Sequence, residues 1–168
     1  MSGHHFHSFK EYLQHKFNEG PFLATDIIIE YHNDRNIMEG IVLIERLNKP
    51  YGLALPGGIA EYLTLPENAR KEAKEETGLD LEFYNSLDPQ PFRVESDPEQ
   101  DPRAFIVSVS YQAIGRGQLK AGDDAKKAQV FDRDELEKLI TLPNVWAMPH
   151  HRKILQHYLH EKWRVETK

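Results

Sequence analysis

The chain of 168 residues contains no cysteine. Disulfide bonds, a catalytic thiolate and thiolate metal sites are therefore excluded. No apolar run approaches the ~20 residues that a transmembrane helix needs, so we expect no contact with a membrane. The N-terminus lacks the hydrophobic segment of a secretory signal peptide. Together these absences lead us to expect a soluble, cytoplasmic protein.

Basic residues are also few, because 21 Lys and Arg stand against 27 Asp and Glu, a formal net charge of −6. Proteins that bind the nucleic-acid backbone usually carry a basic face, so we expect no nucleic-acid partner. An anionic small molecule remains compatible with this charge if a metal ion reverses the local field. The length fits one domain. We expect residues 1–20 to form an N-terminal segment with a helix, and residues 21–168 to form a single domain.

Hydrophobic periodicity predicts an alternation of strands and helices. Segment 79–94 is expected to hold one or two strands, and the proline-rich segment 96–102 is expected to be a loop. This order favours an α/β (α+β) fold in which a mixed β-sheet is sandwiched between α-helices. The predicted strands are 22–31, 37–47, 105–111 and 127–131, and the predicted helices are 6–18, 66–77, 132–140 and 149–163.

The most informative feature is a glycine turn, Leu55–Gly58, followed by a short helix that Gly78 closes. On an α-helix, Glu72, Glu75 and Glu76 fall within an arc of about 100°. Carboxylates gathered in this way repel one another, and the cost grows near the protein interior. A divalent cation would neutralise them, and such hard oxygen ligands suit Mg²⁺ or Mn²⁺ held against a phosphate.

The same helix permits a simpler interpretation. Lys71 and Lys74 fall on the far side of the helical projection from the three glutamates, so the charges are segregated and do not alternate. In a solvated helix, however, Glu75 and Glu76 would pair with these two lysines. Taken alone, the helix leaves both interpretations open.

The whole strand–turn–helix unit resembles the Nudix box, whose family pattern is G-x5-E-x7-R-E-U-x-E-E-x-G-U, where U is aliphatic. Two positions depart from it. Lys71 stands where the family has arginine, and Leu63 (or Thr64, with a one-residue deletion) stands where it has the early glutamate. Glu61 is the acid nearest to that place. The matching positions are Glu72, Ala73, Glu75, Glu76, Gly78 and Leu79, and the resemblance extends from about Phe22 to Leu159.

This resemblance implies that Glu72, Glu75 and Glu76 are catalytic residues that hold Mg²⁺ (Mn²⁺ as the alternative ion), with a carbonyl oxygen of Gly57 or Gly58 as a further ligand. The same two glycines, with Arg46 and Arg103, are the candidate substrate contacts. Asp124, on a later loop, is the candidate for a base or an outer ligand. We expect His150 and His151, at the start of the last helix, to be exposed and not catalytic.

Segments 97–103 and 121–125 look like segments of the ADP-ribose pyrophosphatase branch of the family. The resemblance therefore implies Mg²⁺-dependent hydrolysis of the pyrophosphate bond of a nucleoside diphosphate linked to another moiety. The expected substrate is ADP-ribose, giving AMP and ribose 5-phosphate, or a nucleotide sugar. Two alternatives are a non-catalytic module that binds ADP-ribose or a related nucleotide as a sensor, and a hydrolase of (d)NTPs or dinucleoside polyphosphates. Family members are often dimers, which suggests a homodimer by analogy.

Overall fold

The computed structural model describes residues 8, 9, 11, 13, 20–122 and 125–162. Within these residues, no helix has the length and apolarity needed to cross a membrane. The helices are α1 (Leu65–Thr77), α2 (Arg133–Leu139) and α3 (Pro149–Lys162), with a short 3₁₀ helix at Pro143–Val145. The strands are β1 (Phe22–His32), β2 (Met38–Arg46), β3 (Leu53–Ala54), β4 (Gly57–Ile59), β5 (Asp80–Phe83), β6 (Arg93–Glu95), β7 (Ile106–Arg116) and β8 (Ala125–Phe131).

Strand β1 lies in the middle of a mixed eight-stranded sheet. It runs parallel to β7, in a register that pairs Phe22 with Ile106. On its other side it pairs antiparallel, first with β4 and then with β2. Strands β3 and β8 pair with β2, while β5 and β6 pair with β7. Because β4 begins at the end of the glycine turn, this topology places the turn directly beside β1, with Gly57 opposite Asp26.

The three isoleucines of β1 show how the sheet is covered. Ile27, Ile28 and Ile29 are all fully buried. Successive side chains of a strand point to opposite faces, so both faces of the sheet must be covered. Ile27 and Ile29 pack in the cluster that contains α1, and Ile28 packs in the cluster that contains α3. The predicted fold, a mixed sheet sandwiched between helices, is confirmed.

Helix α1 begins one residue before its predicted start and ends at the predicted residue. The N–H of Thr64 donates to Oε2 of Glu67 at 2.9 Å, which satisfies a backbone group at the helix start. Gly78 ends the helix with φ 72°, a left-handed conformation that glycine adopts without steric cost. Ala73 is fully buried against the sheet, and Asn68 Nδ2 donates to Thr25 Oγ1 of β1 at 2.8 Å. The helix is therefore held close above β1.

One predicted strand is shorter than the strand in the structure, and one predicted helix is not tested. Strand β7 runs on to Arg116, beyond the predicted end at residue 111, because its long parallel pairing with β1 extends to Gly115. A Cβ atom at Gly115 would lie 2.3 Å from Cγ2 of Ile29, so a residue that disfavours strands is required there. The predicted N-terminal helix, 6–18, lies largely outside the described residues. Segment 79–94 holds two strands, as expected.

Truncation of a β1 side chain tests this core. In Ile28→Ala we expect the free energy of unfolding to fall by about 2–5 kcal/mol, because the cavity forms between two packed layers. Ile37 is 56% exposed, and Ile37→Ala should cost less than about 0.5 kcal/mol. Urea unfolding followed by circular dichroism measures both variants. Equal losses in the two would contradict the assignment of Ile28 to the core.

Candidate active site

A cleft of about 330 Å³ opens between the first half of β1, the glycine turn and the start of α3. Six of the residues predicted to form the site line this cleft: Arg46, Gly57, Gly58, Glu72, Glu76 and Arg103. Glu75 is not among the lining residues. Asp124 lies outside the described residues. The remaining lining residues are Ala24, Asp26, Asn48, Ile59, Glu61, Asp101, Ile106, Met148, His150 and His151.

The glycine turn brings bare backbone against the carboxylates of α1. A Cβ atom at Gly57 would lie 2.0 Å from the carbonyl oxygen of Thr25, and a Cβ atom at Gly58 would lie 2.6 Å from the carboxyl group of Glu72. Neither position therefore tolerates a side chain without displacement of its surroundings. The N–H of Gly57 donates a hydrogen bond to Oε2 of Glu76 at 2.8 Å. The turn thus fixes one glutamate and contacts the other.

Burial controls the charge on these two glutamates. Glu76 is 6% exposed, and burial raises its pKa to about 8, with only partial relief from the Gly57 hydrogen bond. Burial also raises the pKa of Glu72, against the opposing effect of Lys71. Two adjacent carboxylates that resist ionisation have too little positive charge around them. Their oxygen atoms therefore fit a hard divalent cation, which would displace the proton and supply the missing charge.

Lys71, which stands where the family pattern has an arginine, contacts both the loop and the helix. Its Nζ lies 2.8 Å from Glu75, 3.3 Å from Glu61 and 3.6 Å from Glu72. The expectation that this lysine would lie apart from the glutamates is wrong, because residues four apart on a helix are neighbours, about 40° apart in projection, and Lys71 and Glu75 form such a pair. Glu61 supplies a loop acid beside the helix, whereas Leu63 is 43% exposed. The altered loop therefore retains an ion pair with α1.

The solvated-helix interpretation holds for one of its two expected ion pairs. The half-exposed carboxylate of Glu75 forms an ion pair with Lys71, as the solvated-helix interpretation predicts. Lys74 does not pair with Glu76, since its Nζ binds Asp80 at 2.9 Å. Glu76 is instead buried in the cleft beside Gly57. The structure therefore separates Glu75, at the rim, from Glu76, inside the cleft.

The two arginines lie in the cleft walls, each held by a neighbour. Nε of Arg46 donates to the carbonyl oxygen of Pro50 at 3.0 Å. Arg103 donates two hydrogen bonds to Asp101, from Nε to Oδ1 at 2.9 Å and from Nη2 to Oδ2 at 2.7 Å. Although burial opposes ionisation, Arg103 holds the pKa of Asp101 below its usual range. Both guanidinium groups are thus preorganised beside the glutamates.

A buried polar cluster in the cleft wall has no counterpart in the sequence predictions. Asp26, His150 and His151 are at most 5% exposed. Nε2 of His151 lies 3.2 Å from Oδ1 of Asp26, and Nε2 of His150 lies 3.6 Å from Oδ2. Ser108 Oγ donates to the same carboxylate. The expectation that the histidines are exposed is wrong, because Pro149 starts α3 directly against the sheet. The one sequence signal was a charged residue beside the isoleucines of β1.

This cluster has the composition of a metal site, since the ligand atoms of Asp26, His150 and His151 lie within 4.8 Å of one another. A metal-bound histidine normally donates its other ring N–H to an acceptor. Nδ1 of His151 instead accepts a hydrogen bond from the N–H of Leu55 at 2.9 Å. Burial lowers the pKa of His151 despite the nearby Asp26, so the proton of its neutral ring lies on Nε2. A metal ion would compete with that proton, and we interpret the cluster as a polar network.

Asp26 is the charged member of this network. Although burial opposes its ionisation, His151 and His150 hold the pKa of Asp26 well below its usual range. Asp26 pairs in the sheet with Gly57, whose N–H binds Glu76. Its negative charge contributes to the raised pKa of Glu76. The cleft thus combines an ionised aspartate with a glutamate that holds its proton.

Comparison with known proteins identifies the family of the chain. The family model for the NUDIX domain matches residues 21–158. An ADP-ribose pyrophosphatase from Methanocaldococcus jannaschii is 39% identical over 149 residues, which cover 86% of this chain and 75% of that protein. The chain therefore belongs to the Nudix family of pyrophosphohydrolases, as its sequence predicted.

Solved structures show the same fold. A MutT/nudix family protein from Enterococcus faecalis is 32% identical with a TM-score of 0.57, over 74% of this chain and 51% of that one. A bifunctional NMN adenylyltransferase/ADP ribose pyrophosphatase from Francisella tularensis, complexed with AMP and a manganese ion, is 19% identical with a TM-score of 0.69, over 90% of this chain and 44% of that one. The NUDIX domain of Shewanella oneidensis NrtR, complexed with ADP ribose, is 16% identical with a TM-score of 0.65, over 90% and 99%. At these identities the last two show the fold alone.

The raised pKa of Glu76 predicts how pH affects the metal-free protein. Its pKa rises from 4.5 to about 8 on folding, so the stability contributed by the protonated group is complete below pH 4.5 and is lost as the pH rises through 8. Glu76→Gln is neutral at every pH. Relative to the wild type, we expect this variant to gain a few kcal/mol between these limits, since one pKa unit corresponds to about 1.4 kcal/mol.

Urea unfolding in EDTA, repeated from pH 4 to pH 9, measures this difference. Glu137→Gln, on the exposed surface of α2, is the control for the removal of a carboxylate as such. A difference between Glu76→Gln and the wild type that stays constant across this range would show that Glu76 is not desolvated in the folded protein.

Proposed function

We propose that the protein is a Mg²⁺-dependent hydrolase, with Mn²⁺ as an alternative ion, that cleaves the pyrophosphate bond of ADP-ribose or a nucleotide sugar. With ADP-ribose the products are AMP and ribose 5-phosphate. The observation that carries the proposal is the pair formed by the partly buried Glu72 and the buried Glu76, set against the glycine turn in the cleft. The name of the 39% identical relative, ADP-ribose pyrophosphatase, supports the choice of substrate.

In this proposal Glu72 and Glu76 hold the metal, and Glu75 and a carbonyl oxygen of the turn at Gly57 are the further ligands. A bound divalent ion neutralises the charge of a diphosphate and lowers the pKa of a coordinated water molecule. The protein fixes where this happens, because the Gly57 N–H orients the carboxylate of Glu76. Glu61, Glu72 and Glu76 are the glutamates of the cleft that can accept the proton of the attacking water.

In this proposal the positively charged side chains of the cleft bind the substrate. Arg46 and Arg103 line it, and a guanidinium group binds phosphate oxygens through two parallel hydrogen bonds. Two of the Arg103 donors already bind Asp101, so this arginine offers its remaining donors from a fixed position. The bare backbone at Gly58 lets the carboxyl group of Glu72 lie directly against the turn.

The sensor alternative rested on the two departures from the family pattern, Lys71 and the missing loop glutamate. The ion pair between Lys71 and Glu61 restores the loop–helix contact, which weakens that alternative. The electrostatic cost of holding the partly buried Glu72 next to the buried Glu76 also argues for an enzyme, since a nucleotide-binding module has less need of clustered acids.

A substrate screen tests the proposal. The panel is ADP-ribose, nucleotide sugars, NADH, dinucleoside polyphosphates and NTPs, each with and without Mg²⁺, with products identified by mass. We expect AMP and ribose 5-phosphate from ADP-ribose in the presence of the metal only. Saturable ADP-ribose binding without turnover of any compound would refute the hydrolase proposal and favour the sensor alternative. Turnover of NTPs or dinucleoside polyphosphates alone would refute ADP-ribose and nucleotide sugars as the substrates.

Substitution of Glu76 tests the placement of the metal. Glu76→Gln removes one metal-binding oxygen while keeping the shape of the side chain, so we expect the rate to fall by about 100-fold or more. Glu137→Gln should keep wild-type rates, since Glu137 lies on the exposed face of α2. Steady-state kinetics and thermal unfolding separate a catalytic loss from a folding defect. Wild-type turnover in Glu76→Gln would refute the proposed metal site.

A further inference from the structure

The glycine turn is anchored by a side chain from the closing helix. His151, on α3, is 1% exposed. Its Nδ1 accepts the hydrogen bond from the N–H of Leu55, the first residue of the turn, at 2.9 Å. Its Nε2 lies 3.2 Å from Oδ1 of Asp26 on β1. One imidazole ring therefore bridges the turn and the central strand.

Two further hydrogen bonds connect this anchor to the cleft. The carbonyl oxygen of Pro56 accepts from the N–H of Ile27 at 2.8 Å. The N–H of Gly57 then donates to Oε2 of Glu76 at 2.8 Å. Leu55 and Gly57 are two residues apart in one short turn, so a displacement of Leu55 moves the amide that orients Glu76.

The ionised Asp26 determines which ring nitrogen of His151 is the acceptor. A neutral imidazole has one N–H and one bare nitrogen, and the hydrogen bond at one nitrogen sets the role of the other. The carboxylate favours the proton on Nε2, which leaves Nδ1 bare toward the N–H of Leu55. The contact with Asp26 and the hydrogen bond to the turn therefore support each other.

We propose that His151 is a positioning residue of the active site: by accepting the Leu55 N–H, it holds the glycine turn where the Gly57 N–H fixes the metal-binding carboxylate of Glu76. This inference rests on the proposed function, because the role of Glu76 belongs to that proposal. It adds a residue on α3 to the proposed metal-binding part of the site, which the turn and α1 otherwise form.

Two substitutions separate the two contacts of the ring. In His151→Asn the amide oxygen takes the place of Nδ1, so the acceptor for Leu55 is kept and the contact with Asp26 is lost. In His151→Gln the longer side chain takes the place of Nε2, so the contact with Asp26 is kept and the Leu55 N–H is left unpaired. Both variants remove part of a buried ring, and similar losses of thermal stability are expected. His160→Asn, at an exposed position of α3, is the control.

The measurements are the affinity for Mn²⁺, by electron paramagnetic resonance, and the kcat and KM for ADP-ribose. We expect His151→Asn to stay within about threefold of the wild type in all three, and His151→Gln to lose about tenfold in kcat and in Mn²⁺ affinity with little change in KM, as an unpaired buried N–H implies. His160→Asn should match the wild type. Equal losses in the Asn and Gln variants would overturn the proposal, because a purely structural role does not distinguish them.

Nuclear magnetic resonance supplies a readout that needs neither turnover nor a folded variant. In the ¹⁵N-labelled wild type we expect a scalar coupling between the amide nitrogen of Leu55 and Nδ1 of His151 across the hydrogen bond. No coupling at a pH where His151 is neutral would overturn the proposal.

The two proposals fail in different ways. If the wild type turns over no substrate, but Mn²⁺ affinity falls in His151→Gln and not in His151→Asn, the proposed function fails and the role of His151 stands. If the wild type hydrolyses ADP-ribose and the two variants behave alike, the role of His151 fails and the proposed function stands.

Discussion

The placement of Glu72 and Glu76 against the backbone of the glycine turn is the contact on which the rest of the site depends. Both carboxylates are withdrawn from water, and burial raises the pKa of each. A folded protein holds them there because α1 is fixed at both ends and lies close to the sheet through its alanines. The fold therefore tolerates an unfavourable electrostatic arrangement at the place where a cation would relieve it.

The surroundings of this pair are arranged in layers. Lys71 and Glu61 form the solvent-facing layer, in which Lys71 neutralises part of the charge around Glu72 while Glu61 adds to it. Asp26 and the two histidines form the buried layer behind the turn. The turn lies between the layers. Its backbone N–H groups donate hydrogen bonds to His151 of α3 on one side and to Glu76 on the other. The glycines are needed because only bare backbone fits between β1 and the carboxylates.

Local sequence signals predict the parts of the structure that depend on near neighbours. The caps of α1, the apolar run of β1 and the glycine turn are each encoded within a few residues, and the structure has them where the sequence places them. The extra length of β7 could not be read in this way, because its end is held by pairing with a strand about 85 residues earlier in the chain. Family membership followed from the same local motif.

Long-range contacts explain what the sequence did not reveal. The histidines that start α3 have an ordinary helical context, and only the meeting of α3 with β1 buries them beside Asp26. The prediction also misplaced Lys71, which at 100° per residue lies only about 40° from Glu75 and pairs with it. Similarly, Glu75 and Glu76 are neighbours in sequence, yet the packing of the turn selects Glu76 alone for the cleft.

The most direct test of the central claim is the position of a bound ion. Crystals soaked in Mn²⁺ and measured at an X-ray energy sensitive to manganese would locate it by anomalous scattering. The account predicts a manganese peak within coordination distance, about 2.2 Å, of carboxylate oxygens of both Glu72 and Glu76. A peak between Asp26, His150 and His151, with none at the two glutamates, would contradict it.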